Sequence, residues 1–283
     1  MARGNNGGNS MAFEEVEKRG LVLLGCGKMG SAMLAGWLER GLAPDAVWVV
    51  DPAPSDWLKE QAAKGLHLNE DLPESPAIVL VAVKPQVMAE ALPVLAPLGD
   101  GETLFLSVAA GIPIAAYEEM LGRDTPVIRA MPNTPAAIGR GITALVGNAR
   151  AGAAHLTMAE ELLAAVGQTV RLDDEAQIDA VTGISGSGPA YVFHLIECLA
   201  AAGKAEGLPP DMALRLAKAT VAGAGALAEA AEESPDELRR NVTSPGGTTE
   251  AALEVLMDEA EGLPPLMRKA VHAAVLRSRE LGR

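Results

Sequence analysis

Aromatic residues and cysteines are both scarce in this chain. Three Trp, two Tyr and three Phe make up 3% of the 283 residues, whereas hydrophobic residues of all kinds make up 49%. We therefore expect a core built mainly from Ala, Val, Leu and Ile. The two cysteines, Cys26 and Cys198, lie in unrelated contexts. Their number argues against a disulfide framework and favours the reducing conditions of the cytoplasm.

Long apolar runs and basic runs are also missing. Because no stretch of about eighteen uninterrupted apolar residues is present, we predict no membrane span. Acidic residues outnumber basic ones, 37 to 23, and the formal net charge is −14. This balance argues against nucleic acid or an anionic membrane surface as a partner. Residues 1–18 begin with Gly and Asn and lack the apolar segment of a signal peptide, so we interpret them as a flexible tail.

The first half of the chain alternates short apolar runs with helical patterns. The runs lie at residues 21–27, 46–51, 77–83, 103–111, 126–133 and 141–147. Strands separated by helices of roughly ten to fifteen residues predict right-handed crossovers and a mostly parallel sheet. Beyond about residue 175 only long helical segments follow. The chain therefore predicts an α/β domain over residues 19–174 and an all-α domain over residues 175–283.

A glycine-rich turn, Gly25-Cys26-Gly27-Lys28-Met29-Gly30, joins the first predicted strand to the first helix. In such a turn the first glycine allows the tight bend and the second lets a pyrophosphate approach the backbone. The third lets the helix pack on the strand. The helix N-terminus supplies N–H groups for the anion. This placement predicts a dinucleotide-binding, Rossmann-type sheet, with a ligand-free glycine turn as the alternative.

Asp51 ends the second predicted strand, about twenty residues beyond the glycines, where an acidic side chain accepts hydrogen bonds from the adenosine ribose. Its carboxylate would repel a 2′-phosphate, which by itself favours NADH over NADPH. A turn-forming role before Pro52 is the alternative.

Four further segments follow the glycine turn in order: VAVKPQ (81–86), RAMPNTPA (129–136), SGSGPAY (185–191) and SPGGTT (244–249). With that turn, they make the chain resemble the pyrroline-5-carboxylate reductases from about Leu21 to the last helix. Other reductases share the first motifs, whereas SGSGPAY followed by SPGGTT is distinctive. The resemblance implies reduction of the cyclic imine 1-pyrroline-5-carboxylate to L-proline by NADPH or NADH, the last step of proline biosynthesis.

The motifs and the resemblance together imply which residues contact the ligands. The predicted cofactor contacts, with Asn69 a loose match, are Leu24, Gly25, Cys26, Gly27, Lys28, Met29, Gly30, Asp51, Asn69, Ala82, Val83, Lys84, Pro85, Val108, Ala109, Ala110 and Asn241. The predicted substrate contacts are Glu175, Ser244, Gly246, Gly247, Thr248 and Thr249. The family generally prefers NADPH, so Asp51 leaves the cofactor preference open.

The SPGGTT segment suits a small carboxylate. Pro245 interrupts the helical pattern, and the two glycines permit close approach. The amides of Gly247, Thr248 and Thr249 at the start of the next helix can bind an anion without an arginine. An ordinary helix N-cap is the alternative. We expect Thr249 to hydrogen-bond the ring nitrogen in the cleft between the domains, which makes it the predicted catalytic residue.

Two other functions fit the same domain plan. A 3-hydroxyacid dehydrogenase would need a helical lysine as acid and base, and Lys204 and Lys218 are candidates outside any matching motif. A non-catalytic dinucleotide sensor would bind the cofactor without turnover. The four histidines have no metal-like spacing, so we predict no metal site. The small and apolar helical faces predict a homodimer, and the resemblance implies a larger ring of dimers, such as a decamer, as one assembly.

Overall fold

The computed structural model describes residues 10–282. They form two compact units: residues 10–186 together with residues 275–282, and residues 187–274. The first unit contains an eight-stranded sheet flanked by helices, and the second is helical. The predicted fold class, a mostly parallel Rossmann-type sheet followed by a helical region, is confirmed.

The sheet has the strand order β3-β2-β1-β4-β5-β6-β7-β8. Its strands are β1 (Leu21–Leu24), β2 (Val47–Val50), β3 (His67–Leu68), β4 (Ile78–Val81), β5 (Leu104–Ser107), β6 (Val127–Met131), β7 (Gly141–Gly147) and β8 (Gly167–Arg171). Neighbouring strands pair in parallel except β6 and β7, which are antiparallel. The sequence did not predict β3, which has two residues, or β8, which is too exposed to form an apolar run.

Both faces of the sheet are covered by helices. Leu21 and Leu23 of β1 belong to one hydrophobic core, whereas Val22 and Leu24 belong to a second core that also contains Tyr117. Alternate residues of a strand point to opposite faces, so a strand buried on both faces has a continuous apolar run. This explains why the central strands could be predicted from sequence.

The helices of the first unit are α1 (Met11–Arg19), α2 (Lys28–Glu39), α3 (Asp56–Ala62), α4 (Met88–Ala91), α5 (Ile114–Leu121), α6 (Ala153–Leu163) and α7 (Gln177–Val181). Five of them, α2 to α6, lie between strands, whereas α1 precedes β1 and α7 follows β8. Helix α2 begins within the glycine turn, at Lys28, with Gly27 as its N-cap. The turn is therefore placed at the N-terminus of a helix, as predicted.

Residues 11–18 are not a tail. They form most of α1, in which Ala12, Phe13 and Val16 are buried. The Ala12 N–H donates to Glu161 Oε2 at 2.9 Å, which anchors the start of the helix. The tail prediction was wrong here because the Gly and Asn residues at the start of the chain outweighed a short amphipathic pattern. Residues 1–9 lie outside the described residues.

The second unit consists of helices. They are α8 (Gly188–Ala205), α9 (Pro210–Ala230), α10 (Pro235–Asn241), α11 (Thr248–Leu256) and the greater part of α12 (Leu263–Leu281). Helices α8 and α9 approach closely at Gly203, where an added Cβ would lie 3.3 Å from the Ala213 Cβ. Phe193, Leu216 and Leu227 are more than half exposed. Several solvent-exposed apolar side chains on neighbouring helices are typical of a surface that binds another chain.

The boundary predicted between residues 174 and 175 differs from the packing of the chain, which divides after residue 186. Ile178 of α7 is buried in a core of the first unit. Ser278, near the end of α12, is also buried, and its hydroxyl donates to Asp179 Oδ1 at 2.7 Å. Helical periodicity thus marks where helices begin but not the unit into which they pack. Within residues 10–282, no helix has the length and apolar character needed to cross a membrane.

Candidate functional site

The carboxyl ends of β1, β2 and β4 lie side by side at one edge of the sheet. Leu24 is paired with Val50 on one side and with Val81 on the other. The Gly25 N–H donates to the Val50 carbonyl at 2.8 Å. Gly25 has a φ of +86°, and an added Cβ would lie 2.7 Å from Val83 Cγ1. Both the backbone conformation and the available space therefore require glycine at this position.

The other two glycines of the turn have different surroundings. An added Cβ at Gly30 would lie 2.4 Å from the carbonyl oxygen of Gly25, so the start of α2 packs directly on the turn. An added Cβ at Gly27, the N-cap of α2, would have no atom within 4 Å. The first N–H groups of a helix have no partner within the helix, so open space in front of them suits a phosphate.

A cavity of about 810 Å³ lies along this edge of the sheet. The predicted cofactor residues that line it are Leu24, Gly25, Gly27, Asp51, Asn69, Ala82, Val83 and Lys84. The lining residues that sequence analysis missed are Val50, Pro52, Ala53, Val87, Glu90, Ala91 and Val94. Ligand sites commonly enclose roughly 300–1,000 Å³ with apolar walls and a few polar groups. The cavity, with space at the glycine turn, therefore fits a dinucleotide.

The remaining predicted cofactor residues lie outside the lining of this cavity. They are Cys26, Lys28, Met29, Gly30, Pro85, Val108, Ala109, Ala110 and Asn241. Pro85 begins a short 3-10 helix after Lys84. Val108 follows β5, and its N–H donates to the Val81 carbonyl of β4 at 3.0 Å. Asn241 ends α10 in the second unit.

The Asp51 carboxylate is fixed at the cavity wall. Its Oδ2 accepts from the Cys26 N–H and its Oδ1 from the Ala53 N–H, each at 2.8 Å. Asn69 holds the Asp51 backbone, because it accepts from the Asp51 N–H at 2.9 Å and donates to the Asp51 carbonyl at 2.8 Å. Each carboxylate oxygen can accept more than one hydrogen bond, so a ribose hydroxyl can still be bound.

The thiol of Cys26 is not a reactive group. Burial, and secondarily the negative charge of Asp51, raise the pKa of the Cys26 thiol to about 12. The thiol therefore stays protonated near neutral pH, and the thiolate is the nucleophilic form. Cys26 contributes a backbone amide and apolar packing to the turn.

The SPGGTT turn joins α10 to α11 in the second unit. Gly246 has a φ of +68°, and an added Cβ at Gly247 would lie 2.9 Å from the Ser244 carbonyl oxygen. Gly247 is the N-cap of α11, and its N–H donates to the Ser244 carbonyl at 2.9 Å. This corrects the expectation that the Gly247 amide faces a ligand, because the turn itself uses that amide.

The amides of Thr248 and Thr249 are the donors that the turn leaves for a ligand. These are the first two residues of α11, and neither amide has a hydrogen-bond partner among residues 10–282. The Glu250 carboxylate accepts from the Gly246 N–H at 2.7 Å, which stabilises the turn. Oriented amides at a helix N-terminus attract an anion, so this pair suits a small carboxylate.

Glu175 belongs to the first unit, whereas the other predicted substrate residues belong to the second. It precedes α7, and its Oε1 accepts from Arg129 Nη1 at 2.7 Å and from the Ile114 N–H at 2.9 Å. Its carboxylate therefore has protein partners of its own. No local pattern marks Arg129 in the sequence, because its partner Glu175 is distant in the chain.

Comparison with known proteins decides the family. A family model described as pyrroline-5-carboxylate reductase dimerisation matches residues 175–281, and one described as NADP oxidoreductase, coenzyme F420-dependent, matches residues 20–111. The pyrroline-5-carboxylate reductase of Pseudomonas aeruginosa is 42% identical, over 92% of this chain and 96% of that protein. The chain belongs to the pyrroline-5-carboxylate reductase family. The member from Pisum sativum is 37% identical, over 92% of this chain and 95% of that protein.

Solved structures of pyrroline-5-carboxylate reductases have the same fold. The structure from Coxiella burnetii is 34% identical with a TM-score of 0.87, and the match covers 94% of this chain and 99% of that chain. The Plasmodium falciparum structure, which has NADP bound, is 26% identical with a TM-score of 0.79. That match also covers 94% of this chain and 99% of the other chain.

These comparisons confirm the predicted family and the prediction of an NAD(P)H-dependent oxidoreductase. They favour neither the 3-hydroxyacid dehydrogenase nor the dinucleotide sensor. The dimerisation model also supports homo-oligomerisation.

In this chain, Gly27→Ala is expected to weaken dinucleotide binding without destabilising the fold. The added methyl group would meet no protein atom within 4 Å, and the φ of −71° is accessible to alanine. The methyl group would, however, fill the space in front of the α2 amides. Fluorescence titration with NADPH and NADH is expected to give a Kd at least about tenfold higher, equivalent to roughly 1.4 kcal/mol.

Gly152→Ala is the matched control for this substitution. Gly152 is the N-cap of α6 with a φ of −69°, and an added Cβ there also has no atom within 4 Å. This variant should keep the wild-type Kd and thermal midpoint. If Gly27→Ala bound the dinucleotide as tightly as the wild type, the turn would not be the pyrophosphate site.

Proposed function

We propose that the protein reduces 1-pyrroline-5-carboxylate to L-proline by hydride transfer from NAD(P)H, the last step of proline biosynthesis. The observation that carries the proposal is the pair of free amides at Thr248 and Thr249, because the substrate is a small ring with one carboxylate. The 42% identity to a relative named for this reaction, over 92% of the chain, supports it further.

Residues of the first unit hold the cofactor in this proposal. Gly27 leaves space for the pyrophosphate at the N-terminus of α2, and Asp51 and Asn69 border the adenosine half. Among the described residues that line the cavity, Lys84 is the one cationic side chain. When bound, the reduced nicotinamide supplies a hydride to the imine carbon.

Residues of the SPGGTT turn hold the substrate. The Thr248 and Thr249 amides bind the carboxylate, while Ser244, Gly246 and Gly247 keep the turn compact. The Thr249 hydroxyl oxygen accepts a hydrogen bond from the protonated ring nitrogen, which orients the ring. Asn241 remains a predicted cofactor contact.

The proton balance of the reaction requires no acidic side chain. Addition of hydride to the carbon of the protonated imine moves the π-electron pair onto nitrogen and leaves a neutral secondary amine. The nitrogen proton therefore arrives with the substrate or from water. The protein's contribution is to orient the ring, and orientation alone can supply much of a rate enhancement.

One assay tests both the reaction and the role of Asp51. We expect the wild-type protein to oxidise NADPH and NADH in the presence of 1-pyrroline-5-carboxylate. Asp51→Asn keeps an oxygen acceptor for the Cys26 N–H but removes the charge that repels a 2′-phosphate. It should therefore lower the KM for NADPH about tenfold relative to that for NADH. Absence of imine turnover with both cofactors would refute the reaction, and an unchanged KM ratio would refute the role of Asp51.

Thr249→Ala should reduce kcat/KM for the imine by roughly ten- to a hundredfold, since a hydrogen bond to a charged group is worth about 1.5–3 kcal/mol. The KM for NADPH should change little, because the backbone amide and the cofactor cavity are retained. Steady-state kinetics with each substrate varied in turn measure both quantities. Thr249→Ser, which keeps the hydroxyl, should retain most of the activity. Equal losses for imine and cofactor would contradict this role of Thr249.

We infer a homodimer formed through the helical unit, with a decamer as a larger assembly of such dimers. The exposed apolar side chains of α8 and α9, including Phe193 and Leu216, support association. Multi-angle light scattering is expected to give at least twice the 29.2 kDa mass of one chain. A stable monomer at micromolar concentration would contradict the inference.

We also infer a cytoplasmic location from cysteine usage. Cys26 and Cys198 are both free thiols, and free thiols are common in reducing compartments.

A further inference from the structure

Residues 108–113, the segment between β5 and α5, lie at the same edge of the sheet as the glycine turn. Ser107 at the end of β5 is in register with Val81 at the end of β4. Asp51 follows β2 on one side of β1, whereas β4 and β5 lie on the other side. A dinucleotide with its adenosine half beside Asp51 and its pyrophosphate at α2 therefore extends its nicotinamide half toward this segment.

This segment is held at both ends by side chains. At its start, the Ser107 Oγ accepts from the Ala109 N–H at 3.2 Å and is hydrogen-bonded to the Tyr117 hydroxyl at 2.5 Å. Just beyond its end, the Ile114 N–H donates to Glu175 Oε1 at 2.9 Å. Tyr117 lies on the adjoining α5, so Glu175 is the contact that comes from a distant part of the chain.

The ion pair with Arg129 fixes Glu175 in turn. Arg129 Nη1 lies 2.7 Å from Glu175 Oε1, and the arginine side chain is only 9% exposed. A charge this deeply buried is costly unless it is paired. Arg129 is on β6 directly beside Ser107 of β5. The Glu175 carboxylate thus connects β6 to the N-terminus of α5. Residues 108–113 are therefore held between β5 and α5 by contacts on both sides.

The surrounding charges favour a supporting role for Glu175 over direct contact with the substrate carboxylate. A cavity of about 450 Å³ beside it is lined by Asp174 and Asp179 as well as Glu175, and three acids repel an anion. The two arginines of that cavity face these acids, Arg129 at 2.7 Å from Glu175 and Arg279 at 3.7 Å from Asp179.

We propose that Glu175 is a positioning residue that holds residues 108–113 against the nicotinamide half of the cofactor. The proposal rests on the proposed function and replaces the expected contact between Glu175 and the substrate. Loss of the carboxylate frees the Ile114 amide and leaves the charge of Arg129 without its partner, so the segment loosens. The adenosine half, bordered by Asp51 and Asn69, is not affected.

Two ligands distinguish the halves of the cofactor: NADPH, and ADP-ribose, which lacks both the nicotinamide and the 2′-phosphate. For each ligand, the Kd of a variant is therefore compared with the Kd of the wild type. In calorimetric titrations, Glu175→Ala is expected to raise the Kd of NADPH about tenfold and that of ADP-ribose less than about twofold. The kcat for the imine should fall, while the KM for the imine stays near the wild-type value. Glu175→Gln keeps an oxygen acceptor for the Ile114 N–H and should therefore rescue part of the NADPH affinity.

Glu160→Ala is the matched control, because Glu160 of α6 forms an ion pair with Arg171 of β8 through two hydrogen bonds of 2.6 Å. It removes a Glu–Arg pair from the same unit and should change neither Kd. Thermal unfolding of each variant shows whether it is folded. If Glu175→Ala does not fold, Glu175→Gln provides the same comparison of the two ligands.

Three results would overturn the positioning role. These are an equal loss of affinity for NADPH and ADP-ribose, no loss for either, and a raised KM for the imine with an unchanged Kd of NADPH. The last result would return Glu175 to the substrate site. Failure of the proposed function is distinguishable from all three, since it would appear in the wild-type protein as an absence of imine turnover.

Discussion

The close approach of helix α2 to strand β1 is the constraint on which the first unit depends. A single methyl group on Gly30 would lie 2.4 Å from the carbonyl oxygen of Gly25. Because the helix packs this tightly, its N-terminus points at the edge where β1, β2 and β4 end. One cavity is then lined by Asp51, Lys84 and the N-cap residue Gly27, which precedes the free amides of the helix. In the proposed site, dinucleotide binding would depend on backbone packing more than on any single side chain.

The SPGGTT turn of the second unit has the same arrangement, and in the proposed site it would bind a different anion. Gly27 and Gly247 are both N-caps without a side chain, and each precedes a helix whose first amides are free for a ligand. Neither turn needs an arginine. In the proposed sites, a chain with a net charge of −14 could therefore bind two anionic ligands. The attraction comes from local backbone dipoles, which act over a short range that the overall charge does not control.

The sequence predicted those features that depend on neighbouring residues. Buried strands appear as apolar runs, and the positions of Gly27 and Asp51 follow from spacing within one strand–turn–helix–strand unit. Short β3, exposed β8 and helix α1 carry weak local patterns and were missed. Val87 of the cavity wall resembles any core valine in sequence. The pairing of Glu175 with Arg129 depends on tertiary structure, so no local pattern could show it.

The Asp51 carboxylate combines two tasks that are separate in principle. It accepts a hydrogen bond from the Cys26 N–H, which holds the glycine turn. In the proposed site, its negative charge would also lie beside the ribose substituent. A lineage that exchanged one dinucleotide for the other could not discard this side chain freely, because the turn would lose an anchor. The substitutions open to such a lineage are uncharged residues that still accept a hydrogen bond from the Cys26 N–H. Selectivity between NADH and NADPH and the rigidity of the glycine turn therefore change together at this position.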